Sequence, residues 1–131
     1  MGPEQSIQRA ILEYLNWKHI FCWKNNTAGI YVKARNTYIP SHAPGVSDIL
    51  GVLPGGRILC IEVKSPTGRV SPHQQQFIDT INAAGGLAFV ARSVEETQKH
   101  LRDGQLLLHL HFSILHFHYD RRVIYHFPFN M

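Results

Sequence analysis

The run Ile58-Leu59-Cys60-Ile61-Glu62-Val63-Lys64 has the composition of a largely buried strand, yet it carries two opposite charges near its end. Charges in such a strand are rare unless they are paired or hold a metal ion. Because side chains alternate along a strand, Glu62 and Lys64 project from one face while Ile61 and Val63 project from the other. Asp48 lies fourteen residues before Glu62, within Gly45-Val46-Ser47-Asp48-Ile49-Leu50. Pro54-Gly55-Gly56 separates the apolar runs 46–53 and 57–64, which predicts a β-hairpin. On adjacent arms the carboxylates of Asp48 and Glu62 stand side by side. Two hard oxygen ligands of this kind suit Mg²⁺ or Mn²⁺, with water in the remaining positions, and Lys64 is placed to offset phosphate charge.

The surrounding pattern alternates helices and strands. Ile7, Ile11, Tyr14 and Leu15 recur at helical spacing and predict a helix over residues 4–18. Strands are expected at 20–23 and 30–39, divided by Asn25, Asn26 and Gly29. Ser71, Pro72 and Gln74 supply an N-cap, a first-position proline and the third-position partner of a capping box, so a second helix is expected to run to about residue 84. Gly85-Gly86 ends it, residues 87–91 form a short buried strand, and Ser93 with Glu96 opens a last helix expected to stop at Gly104. The resulting order is α-β-β-β-β-α-β-α.

With 131 residues the chain suits one domain, and 44% hydrophobic against 17% charged residues places it among folded rather than disordered chains. The formal charge of +4 is too mild to identify a polyanionic partner, but its distribution says more. No acidic residue falls between Glu13 and Asp48, whereas Lys18, Lys24, Lys33 and Arg35 do, interleaved with Trp17, Phe21, Trp23, Tyr31 and Tyr38. That mixture suits a nucleic-acid-facing surface. Cys22 and Cys60 lack metal-type spacing and are expected to be buried free thiols of a reducing compartment. The polar N-terminal segment has no secretory h-region, and the longest run without Asp, Glu, Lys or Arg, residues 104–119, is interrupted by four histidines. The expectation is a cytoplasmic protein without a membrane span.

Residues 105–131 differ in kind, holding five of the nine histidines and six aromatics. In strands, His109 with His111 and His116 with His118 would share a face, a spacing able to bind a transition metal. An added hairpin, or a tail foreign to the domain, explains them more simply, and no chemistry is assigned to them. The expected organisation is a domain over 1–104 and a C-terminal extension over 105–131.

Gly45-Val46-Ser47-Asp48, followed by Glu62-Val63-Lys64-Ser65-Pro66-Thr67-Gly68-Arg69-Val70-Ser71-Pro72-His73-Gln74 and then Ala84-Gly85-Gly86, resembles the VRR-NUC family of PD-(D/E)xK nucleases. The resemblance spans about residues 4–101 and implies an α/β, restriction-endonuclease-like fold with a central mixed sheet flanked by helices. The superfamily's Pro-Asp pair is Ser47-Asp48 here. The resemblance further implies that Asp48 and Glu62 bind a divalent metal with the backbone carbonyl of Val63, and that Lys64 acts on the attacking hydroxide and scissile phosphate. Glu4 matches the family's first-helix glutamate. Stand-alone, phage-sized members resemble Holliday-junction resolvases that act as homodimers, so the implied substrate is a four-way junction in DNA recombination or repair. A flap nuclease and a catalytically silent DNA-binding module are the alternatives.

Two of these residues have plainer explanations. Glu4 shares a helical stripe with Gln8, Ile11 and Leu15 and can face the sheet, but an acid in the first turn is also favoured by the helix dipole. Gln74 needs only the capping box to account for it, yet its stripe with Phe77, Ile78 and Ile81 can carry its amide to the metal-bearing strands, and the two roles are compatible. Lys33, Arg35, Arg69, Asn25 and Asn26 are candidate DNA contacts whose simpler readings are solvated cations and turn residues. Trp17 and Trp23 are expected in the core rather than as stacking platforms.

Overall fold

A computed structural model describes residues 1–26, 30–39 and 44–119. Helix α1 spans Pro3–Trp17, begins with proline in its first turn, and buries Ile11 and Leu15 completely. It stops because His19 adopts a left-handed backbone, φ 57°, letting the Ile20 amide reach back to the Leu15 carbonyl at 3.0 Å. Strand β1 follows at Phe21–Lys24. The expected strand over 30–39 is instead a two-stranded hairpin, β2 (Ile30–Val32) and β3 (Thr37–Ile39), joined by a 3₁₀ turn at Lys33–Arg35. Asn36 makes the reversal by taking the left-handed region at φ 44°, which asparagine tolerates better than most residues.

Strands β4 (Ile49–Val52) and β5 (Ile58–Val63) form the expected antiparallel hairpin around Pro54-Gly55-Gly56. Helix α2 (Pro72–Ala83) then crosses over so that β6 (Leu87–Ala91) pairs parallel to β5. The main sheet is therefore mixed, with order β1-β4-β5-β6. Its two faces have separate duties. Ile49, Leu59, Ile61 and Val63 point to one face and are buried. Leu50, Cys60 and Val90 point to the other, where Phe77, Ile78 and Ile81 of α2 pack over Cys60 and Ala88. Cys60 is buried as expected, whereas Cys22 is only half-buried.

Both ends of α2 are tightly specified. Ser71 Oγ accepts from the Gln74 amide at 3.2 Å while Gln74 Oε1 accepts from the Ser71 amide at 2.9 Å, the reciprocal pair expected from sequence. At the other end Gly85 takes φ 93°, and Gly86 lies so close to its neighbours that a Cβ would sit 2.5 Å from Ile81 Cγ2 and 2.7 Å from Ile58 Cγ2.

The chain divides into two compact units, residues 1–100 and 101–131. Helix α3 starts at Val94, with Ser93 Oγ accepting from the Glu96 amide at 3.1 Å, and continues to Tyr119 rather than stopping at Gly104. A helical glycine costs only about 1 kcal/mol, and leucine-rich sequence without proline follows it. Residues 105–119 are thus helical, so the strand spacing envisaged for His109, His111, His116 and His118 does not apply. Residues 120–131 lie outside the described part. Among the described residues, no helix is long and apolar enough to cross a membrane.

Gly45 connects this framework to the segment that carries Asp48. Its φ is +83°, and a Cβ there would stand 2.5 Å from the His73 carbonyl oxygen in the first turn of α2. Gly45→Ala is therefore expected to destabilise the protein by roughly 1–3 kcal/mol, read from the urea unfolding midpoint. An alanine variant with a wild-type midpoint would show that the close approach is not required.

Candidate active site

Residue pairing across the sheet brings the carboxylates together. In the β4–β5 ladder Ile49 stands opposite Ile61, so Asp48, one position earlier, falls opposite Glu62. On the other side the Asn25 amide donates to the Asp48 carbonyl at 2.7 Å, extending the β1–β4 ladder by one residue, and Asn25 Nδ2 donates to the Ser47 carbonyl at 3.2 Å. Asp48 is thus clamped between two strands. Its Oδ2 accepts from the Val63 amide at 2.8 Å, which orients the carboxylate at the mouth of the sheet.

Glu62 is 1% exposed. Its Oε1 accepts from Gln74 Nε2 at 2.6 Å and lies 3.0 Å from Lys64 Nζ. Its Oε2 is buried without a hydrogen-bond partner. Gln74 therefore does both things the sequence allowed, capping α2 through its Oε1 and holding Glu62 through its Nε2. Burial pushes the Glu62 carboxyl up to about 7, the negative charge of Asp48 adds to that rise, and Lys64 opposes both. Lys64 keeps only 13% of its side chain exposed, so its charge acts in a sheltered place.

Beside these residues lies a cleft of about 230 Å³ lined by Glu4, Gln5, Gln8, Lys24, Asn25, Asn26, Asp48 and Val63. Glu4 reaches it from the first turn of α1, where its Oε1 accepts from the Ser65 amide at 3.1 Å. Gly68 leaves room for this contact, since a Cβ there would lie 3.0 Å from the same oxygen. Of the candidate DNA contacts, Asn25 and Asn26 line the cleft, whereas Lys33, Arg35 and Arg69 are exposed elsewhere: the first two in the β2–β3 turn and the third between β5 and α2. Lys24, from the basic stretch, and Gln8, on the helical stripe of Glu4, also line the cleft, although neither was among the candidate site residues. The signal for Lys24 was its place opposite Ile49, which depends on strand pairing rather than on residue type.

The tryptophans depart from expectation. Trp17 is 73% exposed and Trp23 43% exposed, so neither belongs to the core. Trp17 follows the last buried turn of α1, and Trp23 lies on an edge strand beyond the cover of α2.

The donor set suits a hard divalent cation. Asp48 and Glu62 offer carboxylate oxygens, and the unpartnered Glu62 Oε2 is a buried acceptor for which a cation would compensate. Among the described residues no group of three or more His, Cys, Asp or Glu side chains stands together as a metal cluster.

A mixed sheet with an acid at the end of one strand, Glu-x-Lys on the next, and helices on both faces defines a restriction-endonuclease-like nuclease fold. The VRR-NUC domain family model matches residues 3–95, and the chain belongs to that family of nuclease domains. The fold is similar to that of a solved VRR-NUC domain, with a TM-score of 0.57 and 21% identity over 78% of this chain and 97% of that one. Among curated proteins, none matches the sequence.

The raised Glu62 carboxyl has a defined consequence for metal-free protein. Between the ordinary carboxylate value of 4.5 and about 7 the folded state holds a proton that the unfolded chain releases. Stability from this group is therefore present at low pH and is lost as pH rises through that window, by about 3 kcal/mol in all. Subtracting the Glu62→Gln unfolding profile from that of wild type, both in EDTA, should isolate this decline. Parallel profiles from pH 4 to 8 would contradict it.

Proposed function

We propose that the protein is a divalent-metal-dependent, structure-specific DNA endonuclease, acting as a homodimer on four-way junctions. The observation that carries the catalytic part of this reading is the Glu62 carboxylate, buried with one oxygen held by Lys64 and Gln74 and the other without a partner, opposite Asp48. A structural ion pair would not need that second oxygen left bare, because an unpaired buried acceptor is costly.

Asp48, Glu62 and the Val63 carbonyl are the proposed ligands of Mg²⁺ or Mn²⁺, and Glu4, which lines the cleft together with Asp48 and Val63, is the candidate for a further one. When bound, such an ion activates water and offsets charge on a phosphate. The protein's own groups supply the remainder. Gln74 and the Val63 amide hold the two carboxylates in orientation. Lys64 presents a sheltered cation to the charge that develops on the phosphate oxygens, where it contributes most in the transition state. Asn25, Asn26 and Lys24 offer donors to the DNA backbone along the cleft.

The junction and dimer parts rest on the character of stand-alone family members and on symmetry. The described residues offer one candidate metal site, one site cuts one strand, and paired cuts in a junction call for two copies related by a two-fold axis. A cytoplasmic setting in a bacterial or phage-infected cell, and a role in recombination or repair, belong to the same proposal. A flap nuclease shares the chemistry but not the need for a dimer.

Labelled four-way junction, flap and linear duplex, each with Mn²⁺ or with EDTA, test the reading. Wild type is expected to cut the junction in Mn²⁺ alone, and Asp48→Asn and Glu62→Gln to lose cleavage while binding DNA within a few-fold. Near-normal turnover by either variant would remove the site. Lys64→Ala should lower the single-turnover rate by roughly 10²-fold or more with a smaller change in affinity. Wild-type protein that remains monomeric in sedimentation with junction DNA, and cuts only flaps, would overturn the junction reading and leave the nuclease.

A further inference from the structure

Glu4 is exposed at the start of α1, about two turns before Ile11 and three before Leu15, the residues that the helix buries. An exposed glutamate loses rotamer freedom when it is held in one position, so it stays there only where a donor fixes it. That donor is the Ser65 amide, 3.1 Å from Glu4 Oε1. Ser65 stands just past the sheet, where the β5–β6 pairing ends with the Lys64 amide donating to the Ala91 carbonyl at 3.1 Å. Beyond that bond Ser65-Pro66-Thr67-Gly68 forms a turn closed by the Gly68 amide on the Ser65 carbonyl at 3.0 Å, with Pro66 and Thr67 exposed.

Arg92 ties this turn to the framework. Its Nη2 donates to the Gly68 carbonyl at 3.1 Å. The arginine follows Ala91, the wholly buried last residue of β6, and its own amide donates to Glu96 Oε2 at 2.8 Å, beside the Ser93 cap of α3. Its base is therefore fixed by β6 and α3 together. The glycine that it holds also lies against the acid, because a Cβ on Gly68 would stand 3.0 Å from Glu4 Oε1 and 3.0 Å from Ser65 Oγ. An outward movement of Gly68 thus removes the wall beside the carboxylate and shifts the amide that fixes it.

We infer that Arg92 is a positioning residue for Glu4: by anchoring the 65–68 turn it holds the glutamate carboxylate at the cleft. The consequence for cleavage rests on the proposed role of Glu4 as a further metal ligand. Groups that orient a ligand change activity without touching the ion themselves. A phosphate contact is a different role for the same cation, and it would appear as weaker DNA binding.

Amide hydrogen exchange of ¹⁵N-labelled protein in EDTA reads the contact directly. Relative to the Ile61 amide in the middle of β5, exchange at Ser65 is expected to quicken about tenfold in Arg92→Ala and in Glu4→Ala. Arg92→Lys, which keeps a donor for the Gly68 carbonyl, should recover most of the protection, and the double alanine variant should exchange no faster than Glu4→Ala alone. Unchanged exchange at Ser65 in Arg92→Ala, or multiplied effects in the double variant, would overturn the inference. Equal acceleration at Ser65 and Ile61 would also overturn it, since that reports lost stability alone. In Mn²⁺, on the DNA that wild type cuts best, Arg92→Ala should lower the single-turnover rate about tenfold while DNA affinity in EDTA stays unchanged. A wild-type rate, or an affinity that falls as far as the rate, counts against the positioning role. Wild-type protein that cuts no DNA in Mn²⁺ would defeat the nuclease reading, and the exchange ratio would still decide the place of Arg92.

Discussion

Everything around the candidate site is arranged to keep one carboxylate, that of Glu62, inside the protein. Burial alone makes its charge expensive, and the neighbouring Asp48 makes it more so. Against this stand a lysine two residues along the same strand and a glutamine from the first turn of α2, both on Oε1. The bare Oε2 means that the protein alone leaves this balance incomplete. In the metal-free protein a proton completes it below about pH 7; in the proposed metal-bound enzyme a cation would.

The sheet's mixed topology follows from the same requirement. The antiparallel β4–β5 hairpin sets the two acids opposite each other, and the parallel β5–β6 pairing demands a crossover, which α2 supplies. Because that crossover begins at Ser71 and Gln74, the first turn of α2 lies where its amide can reach β5. Gly45 permits the loop before β4 to touch that turn, with no room for a side chain between them. The site thus joins four elements through short contacts, and Glu4 adds a fifth through Ser65.

Much of this was legible beforehand where short-range physics governs. The capping boxes at Ser71–Gln74 and Ser93–Glu96, the Pro54-Gly55-Gly56 turn and the shared face of Glu62 and Lys64 depend on residues within a few positions of one another. Local readings failed where two local preferences competed. The run 30–39 is strand-like at both ends, but its middle, Lys33-Ala34-Arg35-Asn36, is not, and Asn36 tolerates the left-handed backbone that turns the run into a hairpin. Gly104 carried a stop signal that the favourable helical sequence on either side outweighed.

By itself the sequence determined the element types, the caps and the pairing of acid with lysine on one strand face, since these follow from backbone preferences and alternation alone. Only the tertiary structure decided which side chains meet across strands and which faces are covered. It placed Lys24 and Gln8 in the cleft and left Lys33, Arg35 and Arg69 outside its lining. It also left Trp17 and Trp23 at the surface. The reason is that an aromatic residue carries no record of its own burial: whether it joins a core or faces water depends on how far a partner helix extends over the sheet, and α2 ends its cover before β1.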